Sequence, residues 1–144
     1  MPYGVEARYR HENVRNPVLL RTSSDVDALI DLLLAGSQYE NLAQLHSRER
    51  SLMPSGDFDH ELLAGVNQDL GVGVLAFMDA DGNVVTMGSP NSRAEPVYWI
   101  MGHRKEFPDR SEVPIPLVRQ AVKEFLESGG CRPACVEWQV PEVW

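Results

Sequence analysis

The chain has 144 residues, of which 43% are hydrophobic and 24% are charged, and its formal net charge is -8. These values are typical of one globular domain, which we predict to span residues 1–144. No apolar run approaches the roughly 20 residues of a membrane-spanning helix. The N-terminus lacks the basic start and apolar core of a signal peptide, so we expect a cytoplasmic protein.

The first part of the chain predicts two strands and a helix. Alternate residues from position 3 to position 9 are apolar, which is the period of a half-buried strand, and residues 18–20 form a second apolar run. Ser24 is the predicted helix N-cap and Gly36 the predicted stop. Helical spacing places four apolar side chains on one face of this helix: Val26, Leu29, Ile30 and Leu33.

The centre of the chain predicts an antiparallel meander. Residues 41–47 are compatible with a strand or a helix, and residues 53–57 form a predicted loop. Asp81-Gly82 predicts a tight turn. Strands are predicted at residues 62–67, 71–78, 84–87 and 97–101.

The last part predicts a polar loop, a second helix and a closing strand. The helix covers residues 115–128, with Pro116 in its first turn and Gly129 at its end. A short strand follows at residues 136–138. Two main helices packed against a mainly antiparallel sheet of about seven strands give an α+β fold.

The negative charge is concentrated in the middle of the sequence. Residues 51–92 contain six acidic residues and no Lys or Arg. Nucleic acid is disfavoured as a direct ligand because phosphate binding requires clustered cations. A basic protein partner is the natural complement of such a segment. Acidic residues that serve only solubility are the competing interpretation.

Few patterns suggest catalysis or metal binding. Residues 79–83 resemble a calcium loop, but they lack the Gly and Glu that an EF-hand requires, so we predict a hairpin turn. Asp57, Asp59, His60 and Glu61 show no zinc-motif spacing, and an exposed acidic loop is the preferred interpretation. We predict no catalytic residue, no cofactor and no metal.

Two cysteines and one histidine leave an enzyme as an alternative. Cys131 and Cys135 are expected to be free thiols, because disulfides are rare in the cytosol. A histidine base beside a thiol nucleophile is a recognised catalytic pair. A small enzyme that uses His103 or Cys135 therefore remains a second hypothesis.

Motifs spread over residues 62–138 carry a family resemblance. In chain order they are Leu62-Leu63-Ala64-Gly65-Val66, Gly73-Val74-Leu75-Ala76-Phe77, Val97-Tyr98-Trp99 leading to Gly102, Glu106-Phe107-Pro108, Glu112-Val113-Pro114, a helix with Ala121 and Phe125-Leu126, Arg132-Pro133 and Val136-Glu137-Trp138. This order resembles immunity family one of bacterial polymorphic toxin systems. The resemblance covers about half of the chain.

The resemblance implies a cytoplasmic antidote that binds a secreted toxin, often a nucleic-acid deaminase or nuclease. It supplies no catalytic residues. Such toxins tend to have cationic clefts, which an acidic surface can occupy. The charge pattern therefore predicts a partner-binding surface at Asp57, Asp59, Glu61, Asp79 and Asp81, with Glu106, Asp109 and Glu112 as secondary candidates. A regulatory or scaffold domain with another partner is the third hypothesis.

Overall fold

Antiparallel strands and two helices build the fold in the computed structural model, which describes residues 4–144. Tyr3, predicted as part of the first strand, lies outside the described residues. The helices are α1 (Ser23–Ala35) and α2 (Ile115–Glu127). The strands are β1 (Val5–Arg8), β2 (Val18–Leu20), β3 (Leu42–Ser47), β4 (Glu61–Asn67), β5 (Val72–Asp79), β6 (Gly82–Thr86), β7 (Val97–Ile100), β8 (His103–Glu106), β9 (Val113–Pro114) and β10 (Trp138–Gln139).

Eight strands form one antiparallel sheet. Its order is β10-β6-β5-β4-β3-β1-β2, and β9 pairs with the start of β5. Residues 42–47 of the ambiguous segment 41–47 form a strand. A tight turn connects β5 to β6 as predicted, but its loop residues are Ala80 and Asp81, because Gly82 already pairs with Asp79. The predicted closing strand is shorter than expected, since only Trp138–Gln139 pair with β6. The predicted α+β class, with two helices on a mainly antiparallel sheet, is confirmed.

Local hydrogen bonds determine where α1 begins. The N-cap is Thr22 and not the predicted Ser24: the Thr22 hydroxyl accepts from the Asp25 N–H at 3.2 Å. The Asp25 carboxylate in turn accepts from the backbone N–H groups of Arg21 and Thr22. These bonds hold the pKa of Asp25 below its ordinary value. Three backbone N–H groups at the helix start find acceptors in this way.

Both helices pack on the same face of the sheet. The predicted apolar face of α1 is confirmed, because its four residues are buried. From α2, the buried residues are Val118, Ala121, Val122, Phe125 and Leu126. Arg119 joins the two helices by ion pairs to Asp27 and Asp31. The larger part of the core therefore lies between the helices and this face.

A separate hairpin of β7 and β8 covers part of the opposite face. The strand predicted at residues 97–101 exists, but among the described residues it pairs only with β8 and does not join the predicted meander. The polar segment 103–106, predicted as loop, is the second strand of this hairpin. Met101 and Gly102 connect the strands with φ of 50° and 79°. Positive φ at both positions is the geometry of a tight turn that matches the strand twist.

The hairpin is held close to the sheet at Gly65. A Cβ at this position would lie 2.9 Å from Cδ2 of Tyr98, so only glycine leaves room for the ring. Asn41 fixes the hairpin backbone, because its side-chain oxygen accepts from the Trp99 N–H at 2.9 Å and its own N–H donates to the Trp99 carbonyl at 3.0 Å. Tyr98 and Phe107 then pack over this face of the sheet.

A buried carboxylate connects the hairpin to the rest of the chain. The Glu112 side chain is only 2% exposed. It accepts two hydrogen bonds from the Arg93 guanidinium, at 2.9 and 2.7 Å, and one from the Tyr98 hydroxyl at 2.5 Å. Burial and the neighbouring carboxylate raise the pKa of Tyr98, so its hydroxyl stays protonated and donates. A buried charge needs partners of this kind.

We predict that Arg93→Ala destabilises the protein much more than Arg104→Ala. Both arginines contact a glutamate at 2.7 Å, but the Glu106 side chain paired with Arg104 is 49% exposed. Loss of Arg93 leaves a buried carboxylate short of donors, at a cost on the order of 2 kcal/mol. Loss of the exposed pair should cost below about 1 kcal/mol. Urea unfolding of both variants measures this, and equal losses would contradict it.

Candidate partner-binding site

An open groove lies at one end of three neighbouring central strands of the sheet. β3 ends at Ser47, β4 begins at Glu61 and β5 ends at Asp79. The groove has a volume of about 620 Å³, which is within the range of ligand sites in proteins. Its lining residues are His46, Met53, Asp57, Phe58, Asp59, His60, Glu61, Met78, Asp79 and Ala80.

The groove collects four of the acidic residues singled out from the sequence. Asp57, Asp59, Glu61 and Asp79 all line it. Asp81 lies beside it in the turn between β5 and β6, where it lines a neighbouring pocket together with Asp79. Folding thus brings the predicted acidic loop and the predicted hairpin turn together.

The three secondary candidates lie elsewhere. Glu106 and Asp109 line a second groove of about 990 Å³ between β8 and the C-terminal segment 139–144. There Arg104 pairs with Glu106 at 2.7 Å. Glu112 is buried and bound to Arg93 and Tyr98, so its carboxylate is not accessible to a partner in this structure. The sequence did not distinguish Glu112 from Glu106 and Asp109, because all three acids lie in one polar segment.

The acids of the groove differ in how many partners they already have. Asp59 contacts the Arg50 guanidinium and His60 Nδ1, both at 2.9 Å. Glu61 accepts from the Gln44 amide at 2.8 Å and lies 3.7 Å from His46 Nε2. Although burial opposes ionisation at both sites, these contacts hold the pKa of Asp59 and of Glu61 below its ordinary value.

Asp57 and Asp79 are the carboxylates still available in the groove. Asp57 accepts from the Ser55 hydroxyl at 3.0 Å, and Asp79 accepts from the Asp81 N–H at 2.9 Å. Within residues 4–144 neither forms a salt bridge. Their charges are therefore the least neutralised among the carboxylates of the groove.

His60 is a structural residue of the groove. It is 4% exposed, and its Nε2 accepts the backbone N–H of Ser47 at 2.8 Å. The proton must then sit on Nδ1, which faces the Asp59 carboxylate. Burial lowers the pKa of His60 and keeps the ring neutral. These bonds tie the loop of residues 48–60 to the end of β3.

Two aromatic side chains lie in the groove without a signal in the sequence pattern that marks them as site residues. His46 and Phe58 stack with ring centroids 4.3 Å apart and an angle of 8° between their planes. His46 is 8% exposed, and its Nδ1 has no hydrogen-bond partner among the described residues. Phe58 could have been noticed as an aromatic residue between Asp57 and Asp59. His46 could not, because its segment was ambiguous between strand and helix.

The structure gives no support to catalysis by His103 and a cysteine. His103 belongs to the hairpin on one face of the sheet, whereas Cys135 packs against the core on the other face. Burial and the nearby Glu124 carboxylate raise the pKa of Cys135 to about 11. A nucleophilic thiol needs a lowered pKa instead. Both cysteines are free, as expected.

The fold and this groove describe an α+β protein with an acidic, partly apolar groove at the ends of its central strands. The family model for immunity protein Imm1 matches residues 15–140 of the chain. The chain therefore belongs to the Imm1 family of immunity proteins, and the resemblance found in the sequence is confirmed. No curated protein matches the chain. Within residues 4–144, neither helix has the length and apolar character to cross a membrane.

We predict that the protein loses stability as the pH falls below about 6.5, and that His60 causes it. The unfolded chain takes up a proton at the ordinary histidine pKa, whereas the folded state, with its lowered pKa, excludes that proton. The free energy of unfolding should fall by up to about 1.4 kcal/mol per pH unit between these two pKa values. Below the pKa of His60 in the folded protein, both states carry the proton and this pH dependence ends. Urea unfolding between pH 5 and pH 8 measures it.

Two variants test whether His60 causes this pH dependence of the free energy of unfolding. In His60→Gln the free energy of unfolding should no longer fall with pH in this way, although the variant is less stable at every pH. His103→Gln alters an exposed histidine of the hairpin and should retain the full slope. A slope that survives in His60→Gln would show that another group is responsible.

Proposed function

We propose that this immunity protein neutralises one secreted toxin by binding it in the cytoplasm through the acidic groove. The toxin acts on nucleic acid, as a deaminase or a nuclease. Residues 1–144 form one binding domain for this purpose, without a catalytic role of their own. The observation that carries the proposal is the convergence of Asp57, Asp59, Glu61 and Asp79 on one groove in a chain of the Imm1 family.

The composition of the groove supports a protein partner. The groove is lined by carboxylates together with the apolar side chains of Met53, Phe58 and Met78, and Met53 is 43% exposed. Protein interfaces commonly combine an apolar centre with a polar rim. Methionine adapts its shape to a partner, since it is unbranched and flexible. A purely solubilising surface would not need these apolar side chains.

The charge of the groove supports a cationic partner surface. Enzymes that act on nucleic acid bind phosphates with clustered Lys and Arg side chains. Asp57, Asp79 and Asp81 have no cationic partner within the described part of the chain, so they complement such a cluster. Opposite charges also accelerate association, by an amount that falls with ionic strength. An antidote benefits because the toxin must be captured before it acts.

The second groove ranks lower as the main binding surface. Its acids Glu106 and Asp109 lie beside Arg104 and Lys105, so its charge is mixed. Lys105 also stacks over the Trp144 ring, with Nζ 4.1 Å from the centroid. We propose Glu106 and Asp109 as a peripheral contact region only.

Co-purification tests the proposed function. The full chain, tagged, is expressed together with the toxin domain encoded next to its gene, and a stable one-to-one complex is expected. A toxin assay on nucleic acid should show inhibition at equal molar amounts. Absence of a complex at micromolar concentrations would refute the proposal. A gene neighbourhood without any secreted toxin would favour the regulatory or scaffold hypothesis.

Charge reversal tests the surface. We predict that Asp57→Lys or Asp79→Lys slows association with the toxin by about tenfold or more at low salt, with a smaller effect at high salt. Stopped-flow or biosensor kinetics at two ionic strengths measure this. The dissociation rate should change less than the association rate if steering is the main effect.

Asp69→Lys is the matched control for both variants. It makes the same change in net charge within the same acidic segment of the sequence. Asp69 is exposed in the turn after β4, at the far end of the β4–β5 hairpin from the groove. Strands of this length separate the two ends by roughly 20 Å. Equal slowing by Asp69→Lys and Asp79→Lys would show that only net charge matters.

A further inference from the structure

The polar groups that the groove leaves unsatisfied are all hydrogen-bond acceptors. Asp57 and Asp79 offer carboxylate oxygens without a cationic partner in the described residues. His46 adds a buried nitrogen, because its Nδ1 has no partner there either. Its other nitrogen, Nε2, faces the Glu61 carboxylate at 3.7 Å. A proton on Nε2 makes this approach favourable, and Nδ1 is then an acceptor that no group satisfies.

A group that fills the groove must therefore bring donors and positive charge. Buried polar atoms without partners are rare in native proteins, and each one calls for an explanation. A metal ion does not fit, since no three His, Cys, Asp or Glu side chains within residues 4–144 come close enough together to hold one. An extended organic cation does fit, because it can reach acceptors that are spread along a groove.

We propose that the groove receives an arginine side chain of the partner protein. Its guanidinium would donate to the Asp57 and Asp79 carboxylates and to His46 Nδ1. Its aliphatic stem would lie against Met53 and Met78, which line the same groove. This inference deepens the proposed function, on which it rests, by naming the chemical group that the antidote recognises.

Arginine fits better than lysine for two physical reasons. A guanidinium carries five N–H donors in a plane and can serve several acceptors at once, whereas an ammonium concentrates three donors at one point. A planar cation also stacks on aromatic rings. The stacked pair of Phe58 and His46 supplies such rings in the groove.

Contact between the guanidinium and His46 Nδ1 requires a small movement of the loop of residues 48–60. His46 Nδ1 is buried and Phe58 stacks on the same ring, so we expect a donor to reach this nitrogen only after the loop that carries Phe58 has shifted. Residues 51–57 of this loop are exposed, and its side-chain anchors lie at its two ends, at Arg50 and at Asp59 and His60. The anchors leave the residues between them freer to adjust to a ligand.

A peptide titration tests the proposal without the toxin. The full ¹⁵N-labelled chain is titrated at low salt with acetyl-Gly-Arg-Gly-amide, and with Lys and Gln versions of the same peptide. We expect the arginine peptide to shift the amide signals of the groove and the side-chain ¹⁵N signal of His46 Nδ1. Its Kd should be about tenfold lower than that of the lysine peptide, a difference of about 1.4 kcal/mol.

Isosteric variants identify the carboxylates. Asp57→Asn and Asp79→Asn keep the shape and remove the charge, and together they should weaken arginine binding about tenfold or more. Asp69→Asn at the far end of the hairpin should leave it unchanged. Equal binding of the Lys and Arg peptides, an equal loss with Asp69→Asn, or an unshifted His46 signal would overturn the proposal.

The outcomes also separate this inference from the proposed function. A toxin complex that persists unchanged in the Asp57→Asn, Asp79→Asn variant would refute arginine recognition and leave the immunity function intact. If no toxin complex forms at all, the proposed function fails, while the peptide titration still decides what the groove binds.

Discussion

The buried carboxylate of Glu112 is the interaction on which the second face of the sheet depends. It joins Tyr98 of the hairpin, Arg93 of the preceding loop and its own segment before α2. A buried charge tolerates only a conformation that keeps its donors in place, because each lost donor leaves a desolvated oxygen. The hairpin is therefore held over Gly65 and cannot slide along the sheet.

The position of the hairpin limits where the acidic groove lies. Tyr98 and Phe107 cover the apolar residues of this face, among them Leu63 and Val74. The end of the sheet with His46 and Glu61 is left beyond the apolar cluster and carries the groove. His60 then closes one side of it by fixing the acidic loop to β3. A purely structural carboxylate and a neutral histidine thus shape a surface that is itself charged.

Sequence patterns predicted the helices and most strands, since the apolar period of each segment is a local property. They failed for the hairpin because Met101-Gly102 is not a common tight-turn pair, so residues 103–106 were interpreted as loop. The sequence patterns also treated all acidic residues of a segment as equally available to a partner. Asp57 and Glu112 are both acids in polar segments, yet one is exposed and the other is buried. Glu112 is paired with Arg93, which lies 19 residues away along the chain, whereas Asp57 forms no salt bridge within residues 4–144.

By itself, the sequence determined the family, the α+β class and the presence of an acidic central segment, because these depend on motif order, periodicity and composition. Only the tertiary structure decided which acids remain available. Asp59 and Glu112 are neutralised by arginines, whereas Asp57 and Asp79 meet at one groove beside His46. The physical reason is that the interaction energy of a charge depends on burial and on partners brought close by folding, and neither is visible in a linear pattern.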